Sequence, residues 1–267
     1  MSNHPLDSVL VTSNLFFPRT TEANLHPTNE KIKNGSVTVD EDIELGYRFY
    51  ILHSSAPVLL YFHGNGEIVS DYDGFASLYH DAGVSLLVVD YRGYGWSTGK
   101  PLTTKMLPDA QVVLDKLDDI LKENGVVPGR SVFIMGRSLG GAPAVYLALN
   151  NSEKINGLIL ESAFADVPSL FGRLGILVPK GIKNDPSLPI SNVEKMKEVH
   201  VPLLVIHGER DTLIPVNHGK ELYEASPVED KELLIIQGGG HNNVAVVQIQ
   251  KYFDAIKRFV ANHLSLS

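Results

Sequence analysis

Cysteine is absent from the 267-residue sequence, which excludes disulfides, thiolate metal sites and a cysteine nucleophile. Also missing is any apolar run near the roughly 20 residues that span a bilayer, so no integral membrane segment is expected. The opening MSNHPLDSVLVTSNLFFPRT lacks a basic region followed by an unbroken apolar stretch and a small-residue cleavage site. No secretory signal is expected, and a cytoplasmic location is the simplest expectation. Basic residues are few: 23 Lys and Arg stand against 31 Asp and Glu, a net charge of −8. A nucleic-acid partner, which needs a concentrated basic patch, is not expected. There is no H-E-x-x-H and no close His/Asp pair on one helix face, so neither a metal nor a cofactor is expected. Repeats and low-complexity segments are lacking too.

What is present alternates strand and helix. Residues 36–40 (SVTVD) and 43–52 read as an alternating hairpin at a sheet edge with one wet face. The later runs VLLYF (58–62), VSLLVV (84–89), VFIM (132–135), LIL (158–160), LLVI (203–206) and LLII (233–236) are continuously apolar. That is the pattern of parallel strands covered on both faces. Amphipathic helices are expected over 108–123 and 243–264, with an Ala-rich, buried helix over 138–150. The fold class is therefore α/β: a mostly parallel eight-stranded sheet, an N-terminal antiparallel hairpin and helices on both faces. Residues 1–267 are read as a single domain. About 40 residues separate the strands ending near Glu161 and starting at Pro202, too many for a plain crossover. Residues 163–199 are read as a short cap or an extended crossover.

Two segments match G-x-S-x-G, and their surroundings separate them. Gly136-Arg137-Ser138-Leu139-Gly140 follows SVFIM and precedes AVYLAL, the strand and helix that a nucleophile elbow requires. Gly95-Trp96-Ser97-Thr98-Gly99 lies past its strand and runs into Lys100-Pro101, so Ser97 reads as a loop serine. Ser138 is the expected nucleophile. Helix N–H groups beyond it favour an oxyanion. The first expected donor is the backbone N–H of Leu139. The second comes from His63-Gly64-Asn65-Gly66-Glu67, with the N–H of Asn65 favoured and Gly66 next. His63 is read as a brace for that loop.

A serine hydroxyl needs a base, and the base needs an acid to fix its tautomer. Of ten histidines, His241 alone follows the last strand through Gly238-Gly239-Gly240 and precedes the C-terminal helix. It is the expected base. The loop after 203–206 offers Asp211 and Glu209; Asp211 is favoured, with Glu209 and then Glu161 as fallbacks. Phe164, Phe171 and Leu174, together with Leu170 and Leu177, are candidates for an acyl pocket, though their helical spacing suits plain packing equally. Trp96, the single tryptophan, reads as a loop residue.

The stretches YFHGNGE (61–67), VDYRGYGWSTG (89–99), MGRSLGG (135–141), VIHGERDTLIP (205–215) and GGGHNN (238–243) together resemble the α/β-hydrolase superfamily. The similarity is greatest to small serine hydrolases related to prolyl-oligopeptidase-like peptidases and protein depalmitoylases. It spans nearly all of 36–265 and implies structural roles for Asp90 and Arg92. Two departures stand out: there is no cysteine to acylate as in the depalmitoylase-like proteins, and no propeller domain. The expected activity is hydrolysis of a small-molecule acyl ester or thioester of short to medium chain length. An aminopeptidase or amidase using the same residues is the alternative, and a non-catalytic binding protein on this scaffold is a third.

Overall fold

The six continuous apolar runs become six parallel strands, and the hairpin joins them at one edge. The computed structural model describes residues 4–166, 172, 175 and 191–264. Its sheet contains β1 (Ile32–Asp40), β2 (Ile43–Tyr50), β3 (Val58–Phe62), β4 (Ser85–Val89), β5 (Val132–Arg137), β6 (Gly157–Glu161), β7 (Leu203–Gly208) and β8 (Lys231–Ile236). The spatial order is β1-β2-β4-β3-β5-β6-β7-β8. β1 and β2 pair antiparallel, as do β2 and β4; every other pairing is parallel.

Successive side chains point to opposite faces of a strand, so each run feeds two cores. Leu60, Ile134, Leu158 and Val205 pack on one face, under the helices Met106–Asp115, Gly141–Asn150 and Val216–Ala225. Leu59, Met135, Ile159 and Leu204 pack on the other, under Ala76–Asp81 and Ile249–Asn262. Burial on both faces is why the runs of β3 to β7 carry no polar alternation; at the edge strand β8 Leu234 and Ile236 are buried while Leu233 and Ile235 are half-buried.

The register decides where the site forms. Phe62 lies beside Gly136, Gly136 beside Leu160, and Gly208 beside Ile236. The carboxyl ends of β3, β5, β6, β7 and β8 thus share one edge, and the loops leaving them converge there.

Several local expectations change. The hairpin does not keep a wet face along β2: Leu45–Tyr50 are all buried. Arg48 makes that possible, because its guanidinium is held by Asp73, Asn34 and the Pro27 carbonyl. The helix expected over 108–123 is two, Met106–Asp115 and Leu117–Glu123, broken at Lys116. The C-terminal helix is likewise broken at Gln248, between Val244–Val247 and Ile249–Asn262. An N-terminal helix, Val9–Leu15, buries Val11 and Leu15 in a segment where no element is expected from the sequence. Phe171 and Leu174, with Leu170 and Leu177, lie outside the described residues.

Candidate active site

Ser138 follows β5 directly and has φ 52°, a left-handed conformation that a side chain tolerates only when its surroundings impose it. The surroundings are visible. A Cβ on Gly136 would run into the carbonyl of Gly140, and one on Gly140 into the carbonyl of Phe62. Glycine at both positions lets the turn fold against β3. A short 3-10 turn, Ser138–Gly140, then leads into the helix Gly141–Asn150. Ser97 lies elsewhere, its Oγ accepting the Gly46 N–H at 2.8 Å. Trp96 belongs to the same loop and donates to the Gly35 carbonyl at 3.0 Å.

The loops after β7 and β8 are stitched together before they reach Ser138. Glu209 N–H donates to the Ile236 carbonyl and Arg210 N–H to the Gly239 carbonyl, at 3.0 and 2.7 Å. The Gly208 α-carbon packs so tightly on Gly239 that a Cβ would lie 2.5 Å from its carbonyl oxygen. On this base His241 Nε2 stands 3.0 Å from Ser138 Oγ. His241 Nδ1 stands 2.7 Å from Asp211 Oδ2. Asp211 is buried, and its Oδ1 accepts the N–H groups of Leu213 and Ile214 at 3.0 and 2.8 Å. Burial alone would raise this carboxyl, but hydrogen bonds from His207 and His241 and from the Ile214 N–H hold it well below the usual range. An ionised Asp211 accepts from Nδ1–H, which leaves the Nε2 lone pair facing the hydroxyl. Such an arrangement can take a proton from Ser138.

His207 was not anticipated as a neighbour of Asp211. Its Nε2 donates to the Ile214 carbonyl at 2.8 Å and lies 3.5 Å from Asp211 Oδ2. The available signal was its place at the end of β7, four residues before the aspartate. The fallback acids have other partners. Glu209 is exposed and accepts the Gly238 N–H at 3.0 Å. Glu161 is buried against Arg137, Tyr61 and Tyr252.

The loop after β3 is fixed by its side chains. Asn65 Nδ2 donates to the Leu15 carbonyl at 2.7 Å, while Oδ1 accepts from Phe17 N–H at 2.9 Å and Tyr94 Oη at 2.6 Å. The N-terminal segment therefore helps hold this loop. Gly66 has φ +79°, with open space around its α-carbon. His63 is fully buried; Nδ1 donates to the Gly64 carbonyl at 2.8 Å and Nε2 meets Asp90 Oδ1 at 3.1 Å. Arg92 is paired with Asp109 through Nε at 2.6 Å and Nη2 at 2.7 Å. Beside Ser138 lies a recess of about 40 Å³ formed by Leu15, Asn65, Leu139, Phe164, Leu213 and Ile214. Phe164 is buried; Leu15, Leu213 and Ile214 were not foreseen there, being distant in sequence.

Among the described residues, one cluster has the composition of a metal site: Asp166, His218 and Glu221 place ligand-type atoms within 4.8 Å of one another. Its chemistry does not fit. His218 Nδ1 accepts the Ala165 N–H at 3.1 Å, so a neutral ring carries its proton on Nε2 and offers no spare lone pair.

Comparison with known proteins agrees with this architecture. The sequence profile of the family described as serine aminopeptidase, S33, matches residues 53–183 and 190–244. An uncharacterized protein of Mycobacterium tuberculosis is 30% identical over 235 residues, covering 84% of this chain and 77% of its own length. The mouse alpha/beta hydrolase domain-containing protein 17C is 30% identical over 215 residues, covering 79% and 62%. Among solved structures, an esterase of Pyrococcus furiosus superposes with a TM-score of 0.72 at 20% identity, covering 92% of this chain and 98% of the other. Among the described residues no helix is long and apolar enough to cross a membrane. With its sheet order, its strained turn after β5 and a family profile that matches most of its length, this chain belongs to the serine aminopeptidase S33 family of α/β-fold hydrolases.

Proposed function

We propose that the protein hydrolyses small acyl esters or thioesters through an acyl-enzyme on Ser138. The supporting observation is the continuous hydrogen-bond path from Ser138 Oγ through His241 to Asp211, at 3.0 and 2.7 Å. In this reading His241 takes the hydroxyl proton as Oγ attacks the carbonyl carbon. The backbone N–H groups of Leu139 and Asn65 hold the oxyanion, with Gly66 alongside. His241 then returns the proton to the leaving group, and a water activated by the same ring releases the acid.

The recess beside Ser138 supports a preference for short acyl chains. Its walls are mainly apolar, and about 40 Å³ is room for a few water-sized groups. Short acyl chains suit that space, and Phe164 is one of its walls. Phe171 and Leu174 stay in the proposal as further wall candidates.

The test is a panel of p-nitrophenyl esters and acyl thioesters of increasing length, with fluorophosphonate labelling mapped by mass spectrometry. Turnover falling with chain length and a label on Ser138 are expected. No turnover and no label would falsify the reading. The family description favours a second reading, removal of an N-terminal residue from a peptide. That chemistry uses the same three side chains but needs an anionic group for the substrate amine. Comparing aminoacyl-anilide with ester turnover in one preparation separates the two.

A further inference from the structure

Arg137 stands between Gly136 and the proposed nucleophile, and it is buried. A buried guanidinium must find partners for its donors. Here they come from three different strand ends. Nη1 pairs with Glu67 in the loop after β3. Nε donates to Glu161, the last residue of β6, at 3.2 Å. Nη2 donates to the His241 backbone carbonyl at 2.8 Å and to Asn242 Oδ1 at 3.3 Å.

The partners are themselves tied down. Glu67 Oε2 accepts the Gly64 N–H and the Tyr72 hydroxyl, both at 2.8 Å. Glu161 Oε2 accepts from Tyr252 at 2.6 Å and Tyr61 at 3.4 Å. Gly64 is packed so closely on the Arg137 guanidinium that a Cβ there would strike Nη1. Burial would lower the Arg137 pKa, but the Glu67 and Glu161 carboxylates raise it, so the charge stays in place.

We infer that Arg137 is a positioning residue for the reaction proposed above. One guanidinium sets the backbone of His241 and, through Glu67 and the Gly64 N–H, the loop that carries Asn65. Both are fixed relative to the serine that Arg137 itself precedes. A planar fork with five donors can serve these four acceptors at once; an ammonium has only three donors, all on one atom. Stability alone is a poor reason to keep such a group, because a buried ion cluster generally gains little over apolar side chains of similar size.

A cavity of about 220 Å³ borders Arg137, with Tyr61, Tyr72, Phe75 and Val246 among its walls. That space offers an experimental handle, since a guanidinium ion can enter where the side chain has been removed.

The inference rests on the Ser138 reading, and the experiment keeps the two apart. Wild type, Arg137→Lys, Arg137→Ala and Ser138→Ala are compared for kcat, KM and melting temperature on p-nitrophenyl acetate. Each is assayed with and without sub-denaturing guanidinium chloride, with sodium chloride as control. In Arg137→Lys, kcat is expected to fall about ten- to hundredfold while KM stays within about twofold, as for a misplaced reacting group. Guanidinium, but not sodium, should restore part of the lost kcat in Arg137→Ala. Wild-type kcat in Arg137→Lys would overturn the inference. So would losses in kcat that track KM and melting temperature without rescue. If Arg137→Ala does not fold, Arg137→Lys decides alone. An inert wild type that no fluorophosphonate labels takes down the Ser138 reading, and this inference with it.

Discussion

The α-carbon of Gly140, two residues beyond Ser138, rests against the backbone carbonyl of Phe62 at the end of β3, leaving no room for a methyl group. The obstacle is backbone on both sides, which no side-chain rotation relieves. Gly140→Ala should therefore cost about 3 kcal/mol or more, in the range reserved for severe local strain. Gly66 provides the contrast, with a positive φ but open space; Gly66→Ala should cost about 1 to 2 kcal/mol. Urea melts of the two variants check the order. Equal losses would mean that close packing on β3 is not what makes the elbow glycine necessary.

Replacing Ser138 by Ala should reduce kcat about 10³-fold or more, and His241→Ala similarly, with the double variant no worse than the poorer single one. In the proposed mechanism hydroxyl and imidazole act on one proton, so removing either removes the same step. Steady-state rates on a p-nitrophenyl ester measure this, with melting temperatures showing that the fold is kept. Additive losses in the double variant would indicate two independent contributions instead.

Much of this architecture was legible because its signals are local. Uninterrupted apolar runs mark strands covered on both faces, and of the two serines flanked by glycines only Ser138 has a strand running straight in and a helix leaving. Among ten histidines, the place of His241 after the last strand pointed to the one whose Nε2 stands 3.0 Å from Ser138 Oγ. The Arg137 cluster was not legible in that way. Arg137, Glu67 and Glu161 each look like ordinary charged residues at strand ends, and only the register that sets Arg137 beside Glu161 turns them into one buried group. Likewise, nothing local in Leu15 or Leu213 says that they border Ser138, since both arrive there through long-range folding. β2 misled for a related reason. Its alternation suggested a wet face, but Arg48 is buried by pairing with Asp73, and pairing across 25 positions leaves no periodic trace.

Asn65 joins the loop after β3 to the N-terminal segment through hydrogen bonds to Leu15 and Phe17, and to the loop after β4 through Tyr94. Asn65→Ala should destabilise the fold by about 2 kcal/mol, because partly buried partners lose their mates. It should also lower kcat more than it raises KM, since the loop that carries the proposed backbone donor is loosened. Asn65→Asp keeps both acceptor contacts but loses the donor to Leu15, so it should fall between wild type and Asn65→Ala. A kcat unchanged in Asn65→Ala would show that the loop holds its shape without the side chain.

His63, at the start of the loop that carries Asn65, forms a buried imidazole–carboxylate pair with Asp90. Burial opposes charge on His63, but the Asp90 carboxylate outweighs it and raises the imidazole above its ordinary value. Burial raises the Asp90 carboxyl as well. Both shifts mean that the folded protein holds more protons than the unfolded chain, so stability must decline as pH rises. For His63 the contribution is complete below about pH 6.5, the value in an unfolded chain, and it disappears as pH climbs through the higher folded value. Wild-type unfolding free energy, measured by urea between about pH 6 and 9 to bracket that window, should therefore fall toward the alkaline end. The double variant His63→Gln/Asp90→Asn carries no titrating group at these positions and should show a flatter profile. Identical slopes for the two proteins would place the proton elsewhere and leave His63 a neutral brace.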